Sequence, residues 1–326
     1  MQEVRDSCRY RLRLQSRERT LLSFGEKIDA MLKSNAREGG FLASHAAMES
    51  NRHNLDRPTV DDFGREWQRF DQRSVSSAEV RRRFGEYFAL FPWDSLRSNA
   101  VGFDAGCGSG RWAALVAPRV GRLHCVDASA DALSVAQKSL SGLSNVEFHA
   151  APLDAMPLPD DSMDFGYSLG VLHHLPDPAA GLAVCVRKLK RGAPMLVYIY
   201  YAFESRPAWF RLLWRASDLL RHALSKAPFR LKSAVAELLA ACVYWPLARG
   251  AWLFERLGGN VADWPLSAYR GRSYYAMRTD ALDRFGTRLE HRMTQAEIRV
   301  LMENAGLGEV RFSDGVPFWC AIGRKI

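Results

Sequence analysis

Between residues 100 and 201, short apolar runs alternate with longer amphipathic ones. The pattern predicts strands over 100–105, 122–127, 145–149, 163–169 and 194–201, with helices over 110–118, 130–140 and 178–189. Strands alternating with helices make a parallel sheet with helices on both faces, because each helix has an apolar stripe to bury. The fold class is therefore α/β, doubly wound. Upstream, Phe84, Tyr87, Phe88 and Phe91 mark the apolar side of a helix that begins near Ser77. Downstream, Thr294-Gln-Ala-Glu297 has the spacing of a capping box and predicts a helix ending near Gly306. Two strands follow, over 309–313 and 318–323, joined by a Gly-Val-Pro turn.

Two stretches stand outside this alternation. Residues 1–60 are polar and without a clear period, apart from a short helix expected over Leu21 to Leu32. They are expected to form a loosely packed, partly disordered extension, with order beginning at Phe63. Residues 203–257 form a helical insertion rich in tryptophan and arginine. In its first helix Trp209, Leu213, Ala216, Leu220 and Ala223 share one face, and Arg211, Arg215, Asp218 and His222 the other. A second helical segment, 235–254, is expected to be interrupted at Pro246, and its apolar run, Leu238 to Ala248, is too short to cross a bilayer. The chain thus divides into an extension (1–60), a ligand-binding core (61–202), a helical and aromatic lid (203–290), and a closing helix with a strand pair (291–326).

The first strand turns into its helix through Asp104-Ala-Gly106-Cys107-Gly108-Ser-Gly110. Alternate glycines let a ligand approach the backbone and are expected to leave N–H groups free at a helix N-terminus. A dinucleotide fingerprint needs a glycine three positions after the second one, where this chain has Arg111. Asp104 beside the turn repels a pyrophosphate and suits a cationic ligand. Asp127, ending the second strand, is placed to accept from both ribose hydroxyls of an adenosine. S-adenosylmethionine carries an ammonium and a sulfonium and no phosphate, so it meets both conditions.

These residues, with Val126-Asp127 and Ser168-Leu-Gly-Val-Leu-His-His-Leu-Pro-Asp177, resemble the class I S-adenosylmethionine-dependent methyltransferases, of the UbiE-like kind with a helical insertion after strand five. The resemblance runs from about residue 63 to the C-terminus and implies a seven-stranded sheet closed by an antiparallel strand pair. It implies cofactor contacts from Asp104, Gly106, Cys107, Gly108, Gly110, Asp127, Ala128, Leu153, Asp154, Ser168 and Leu169. By the same resemblance Trp67, Phe70 and Arg73 lie near the methionine end, with core packing as the plainer role for the two aromatics. Two positions depart from the family. Pro152 stands where many relatives have an adenine-binding aspartate, with Leu153 and Asp154 as neighbouring substitutes, and Arg191-Gly192-Ala193 replaces a Pro-Gly-Gly turn.

The formal charge of +9 permits anionic partners and selects none. The six cysteines include no C-x-x-C pair and no zinc spacing with histidine, so no metal is expected and a reducing, cytoplasmic setting is the simplest account. Residues 1–20 are arginine-rich and lack the apolar stretch of a secretory signal.

Methyl transfer requires in-line placement and, for a hydroxyl acceptor, removal of a proton. His173 and His174 are the histidines at the pocket mouth and the candidate bases, with a structural or orienting role as the alternative for each. Tyr200, Tyr269 and Arg272 are candidate acceptor contacts, the rings for stacking and the guanidinium for phosphate. Ser168-Leu-Gly-Val171 is unlike the Asn/Asp-Pro-Pro-Tyr/Phe of enzymes that methylate base nitrogens, which speaks against a nucleic-acid substrate of that type. The reading is a methyltransferase acting on a small-molecule, glycan or lipid-linked acceptor, on oxygen. The alternatives are C-methylation of a quinone-like ring, RNA methylation, or a non-catalytic cofactor-binding protein. Residues 205–256, basic and aromatic, suit either an ordinary lid or peripheral contact with the inner membrane face.

Overall fold

A computed structural model describes residues 53–71 and 75–326. The alternating region supplies β1 (Val101–Ala105), β2 (Arg122–Asp127), β3 (Val146–Ala150), β4 (Phe165–Leu169) and β5 (Pro194–Tyr198), all parallel. The C-terminal pair, β6 (Leu307–Phe312) and β7 (Cys320–Lys325), adds antiparallel strands, giving a seven-stranded sheet in the order β3-β2-β1-β4-β5-β7-β6. The strand order reverses between β1 and β4, and a doubly wound sheet opens its crevice at the carboxyl ends there.

Burial divides the sheet residues by face. Phe103 and Ala105 of β1 enter one apolar layer with Val126, Met195 and Val197. Leu123, Cys125, Tyr167 and Leu196 enter the other, with the stripe Phe84, Tyr87, Phe88 and Phe91. Asp104 is in register with Cys125 and Tyr167 and so shares this second, aromatic layer.

The helices are α1 (Arg57–Arg69), α2 (Ser77–Tyr87), α3 (Ala113–Val116), α4 (Ala130–Ser139), α5 (Pro178–Lys188), α6 (Ala208–Leu224), α7 (Phe229–Leu239), α8 (Trp245–Arg256), α9 (Tyr274–Gly286) and α10 (Gln295–Asn304). Order begins earlier than expected. Asp56 caps α1 by accepting from the Thr59 amide at 3.1 Å, so residues assigned to the polar extension belong to the folded unit, His53–Ile326. Val60, Phe63, Trp67 and Phe70 recur at helical spacing behind the Asp56 cap and Pro58, so α1 is legible in the pattern and the expected start at Phe63 is too late. The helix expected over Leu21 to Leu32 lies outside the described residues.

The insertion differs from expectation in two ways. Pro246 does not interrupt it: α7 runs into α8 through a π-helical segment, Ala240–Tyr244. Proline clashes with the carbonyl four residues back, here Cys242, and the wider π turn at that residue relieves the clash. The resulting helix, Phe229–Arg256, spans 28 residues and is long and apolar enough to cross a membrane by length and composition, although one stripe of it is buried. That stripe, Ala236, Ala240, Tyr244 and Ala248, packs on Met277, Ala281 and Leu282 of α9. Secondly, the apolar face of α6 is turned outward. Trp209 is 51% exposed and Leu213 53%, whereas Arg221 is buried. Arg221 faces inward because it is fully partnered there, by Asp218 at 2.6 Å and by the carbonyls of Thr287 and Arg288.

Candidate functional site

The site forms where β1 ends. Gly106 and Gly108 have φ of 83° and 53°, and a Cβ on Gly108 would stand 2.9 Å from the Trp67 indole nitrogen. The turn is therefore shaped for glycine and for close packing of α1. Its amides are not free as the sequence suggested. Gly106 and Cys107 both donate to the Val126 carbonyl, at 2.7 and 3.1 Å, and Gly110 donates to Cys107 at 2.9 Å. Gly108 donates to Asp127 Oδ2 at 2.9 Å. The following helix is only Ala113–Val116, so a ligand is met here by side chains more than by a row of amides.

Three polar atoms at the turn have no partner: Asp104 Oδ2, Ser109 Oγ and Arg111 Nε. Burial pushes the Asp104 carboxyl up to about 8, against the opposing effect of the Tyr167 hydroxyl beside it. Burial, followed by the positive charge of Arg83, brings the Arg111 guanidinium down to about 10, and Arg111 lies over Trp112 at 4.3 Å. Asp127 accepts from the Ser129 amide at 2.8 Å on its second oxygen. Burial raises its pKa while the two backbone donors oppose the shift. Each Asp127 oxygen retains a lone pair for a ligand.

A cavity runs along these strand ends. Its floor is Gly106, Cys107, Gly108, Asp127, Ala128, Leu153 and Leu169, with Ser109 and Arg111 at one end. Its cover is the start of the folded unit, from Asn54 through Phe63 to Trp67. Asn54 is held in place by exchanging hydrogen bonds with the backbone of Asp177, at 2.6 and 2.8 Å. Of the three residues expected near the methionine end, Trp67 lines the cavity, Phe70 is buried in the α9 cluster, and Arg73 lies outside the described residues.

Several expected contacts lie behind the wall. Ser168 is fully buried and donates to the Ala105 carbonyl at 2.9 Å, tying β4 to β1. Asp154 accepts from the Asn54 amide at 2.9 Å and from His53, so it fastens the cover and does not line the cavity. Asp104 and Gly110 are likewise absent from the lining. Tyr269 packs edge-on to Tyr244, and Arg272 is engaged by the Ala268 carbonyl and by Glu86, so both brace the insertion.

The two histidines separate clearly. His173 is fully buried, stacks on Tyr200 at 3.8 Å, and has no partner for either ring nitrogen. Burial, reinforced by His174, drives its pKa well below the usual imidazole value. His174 lines the cavity, and its Nδ1 lies 2.7 Å from the Leu289 carbonyl. A carbonyl only accepts, so Nδ1 carries a proton, and Nε2 has no hydrogen-bond partner. Asp283 Oδ1 stands 3.7 Å from that Nε2, and the other Asp283 oxygen accepts from Tyr200. Burial raises the Asp283 carboxyl, partly offset by His174. Buried Glu66 of α1 is raised well above the carboxylate range by desolvation and then by Asp283.

Sequence reading missed Asp283, Glu66, Arg111 and Asn54. Asp283 and Glu66 sit on helices remote from the motifs and reach the site only by packing, whereas Arg111, directly after the third glycine, was there to be read. It also missed His124, Glu147 and His149, which the register of β2 and β3 brings together away from the cavity. His124 Nδ1 lies 3.0 Å from His149 and 3.2 Å from Glu147, which also holds Arg122.

Residues 103–197 match the family described as a methyltransferase domain. Over that stretch, less than a third of the chain, the protein carries a methyltransferase domain. Two relatives of this chain are uncharacterised. One, a 37.1 kDa protein of a transposon in Streptomyces fradiae, is 31% identical over 104 residues, 31% of this chain and 30% of that protein. The other, from Synechococcus, is 36% identical over 30% of this chain and 24% of its own length. The chain thus spans less than a third of the curated relatives it matches. Among solved structures, the N-methyltransferase NodS of Bradyrhizobium japonicum with S-adenosylhomocysteine is similar at 18% identity and a TM-score of 0.36, covering 43% of this chain and 72% of that one.

Proposed function

We propose that the protein transfers a methyl group from S-adenosylmethionine to a hydroxyl of a small-molecule, glycan or lipid-linked acceptor. The residues at the strand ends suit that cofactor. Asp104, a buried carboxyl just behind the cavity lining with an unpartnered oxygen, answers the ammonium through a bridging water; Arg111, a cation with an unpartnered nitrogen, answers the carboxylate; and Asp127 has lone pairs for the ribose hydroxyls. Ala128 and Leu153 offer apolar surface for adenine.

When bound, S-adenosylmethionine supplies an activated methyl group on its sulfonium sulfur. His174 carries the oxygen reading, because it lines the cavity with its Nδ1 held by the Leu289 carbonyl, which leaves Nε2, buried and without a hydrogen-bond partner, as the nitrogen able to take a proton. A hydroxyl acceptor would form its bond to the methyl carbon as the carbon–sulfur bond breaks and S-adenosylhomocysteine leaves with the electron pair, and His174 Nε2 would take the hydroxyl proton. Asp283 then faces the imidazolium and stabilises it, and Tyr200 fixes Asp283. His173, without access or partners, serves as packing for Tyr200.

Calorimetric titration with S-adenosylmethionine and S-adenosylhomocysteine tests the first half, and binding of both is expected. His174→Ala is expected to bind both within about twofold of the parent and to lose about a hundredfold in kcat on any hydroxyl acceptor found by screening glycan and lipid extracts. Normal turnover by this variant would remove the base from the mechanism.

A further inference from the structure

The outer faces of the insertion are apolar, and nothing in the described chain covers them. On α6, Leu212 is 68% exposed and Leu219 75%, alongside Trp209 and Leu213. On the helix Phe229–Arg256, Leu231 at 53% and Leu238 at 62% are exposed before the π turn, and Trp245 at 40% and Trp252 at 36% after it. Each pair is seven residues apart and so lies on one side of its own α-helical segment. Two helices that both pack inward on α9 therefore both present apolar stripes outward, far more than scattered surface leucines require.

Charge selects the occupant. Arg211 and Arg215 on the polar flank of α6, Lys226 in the turn that follows and Arg230 at the start of α7 are exposed, and no ion pair engages them among the described residues. The insertion's acids are neutralised from within, Asp218 by Arg221 and Arg284, Glu237 by Arg278 and Glu255 by Arg270. Arg256 lies over the Trp252 ring at 4.0 Å, a cation at an aromatic edge of the stripe. An apolar face with free cations and neutralised acids complements a bilayer surface with anionic headgroups.

From this we infer that residues 208–257 dock flat on an anionic membrane. The long helix lies on the surface and does not cross it, because its inner side is fastened to the protein. Lys232 is buried against Asp62 of α1, and Ala236, Ala240, Tyr244 and Ala248 fill the α9 cluster. Leucine and tryptophan enter the headgroup boundary, while the free arginines and lysine meet lipid phosphates. The inference does not depend on methyl transfer.

Full-length protein is mixed with vesicles of phosphatidylcholine and with vesicles that also contain phosphatidylglycerol, and bound protein is sedimented. Binding is expected to the anionic vesicles only, with a blue shift of tryptophan fluorescence and loss at high salt. Leu212→Ser with Leu219→Ser is expected to weaken binding at least about tenfold, since these side chains leave hydrocarbon contact. Arg211→Gln with Arg215→Gln is expected to weaken it about tenfold as well. All four side chains are exposed, so circular dichroism and cofactor titration should be unchanged in both variants. Failure of the folded parent to sediment, equal binding to neutral vesicles, or a dimer in light scattering that Leu219→Ser dissociates would each overturn the inference, the last by giving the face to a second copy. Each result is read without acceptor or turnover, so it stands apart from the fate of the methyltransferase reading.

Discussion

At the scale of single residues, Asp104 carries a conflict between stability and binding. Burial raises its folded pKa to about 8, above the roughly 4 of an unfolded aspartate. Between those values the folded chain holds a proton that the unfolded chain has released, so stability falls as pH rises through that window. Asp104→Asn is therefore expected to be more stable than the parent at pH values near 8 and above, and to lose much of the slope below it, as thermal melts across pH would record. The same substitution is expected to weaken S-adenosylmethionine binding. In the parent, pairing with an ammonium favours the charged carboxylate, so binding near neutral pH should release about one proton. Calorimetry in buffers of different ionisation enthalpy would register that release, and the Asn variant should show none. Proton release equal in the two proteins would place the ammonium elsewhere.

At the scale of elements, local signals predicted termini well where a side chain closes its own helix. Thr294 and Glu297 form the expected reciprocal cap, with Thr294 Oγ accepting at 3.2 Å and Glu297 Oε2 at 2.8 Å. Thr294→Ala is expected to cost about 1 kcal/mol in urea unfolding without affecting the cofactor. The signals failed where a neighbour decided the outcome. Pro246 reads as a stop, yet the helix continues because a π turn at 240–244 absorbs the clash. The stripe of α6 was read correctly as a stripe, but its direction was not in the pattern. An apolar face and a basic face are equally periodic, and only Asp218, Thr287 and Arg288 explain why Arg221 is the inner residue.

At the scale of the whole molecule, the helix that covers the cavity and the insertion are joined, among the described residues, by two ion pairs, Lys232 with Asp62 and Arg69 with Glu237. Lys232 of α7, nearly inaccessible, meets Asp62 of α1, whose later residues Phe63 and Trp67 line the cavity. Lys232→Met leaves the largely buried Asp62 with only the more distant Arg65, at 3.9 Å, and is expected to cost about 2 kcal/mol. Asp62→Asn in the same chain should restore most of that loss, as the double-mutant cycle in urea would measure. Additive losses would mean that the two side chains act independently.

The sequence by itself determined the doubly wound sheet, the glycine turn, Asp127 at the tip of β2 and the histidine pair after β4, because strand period, helix caps and a backbone that must be glycine are local constraints. It also determined that an apolar and basic insertion follows β5. Tertiary structure alone decided that residues 53–60 close the cavity, that His174 and not His173 reaches it, and that Asp283 and Glu66 stand beside it. It alone turned the insertion's apolar face outward. Each of these depends on which of two adjacent or opposite faces meets a distant element, and that depends on the partners waiting there for a buried charge.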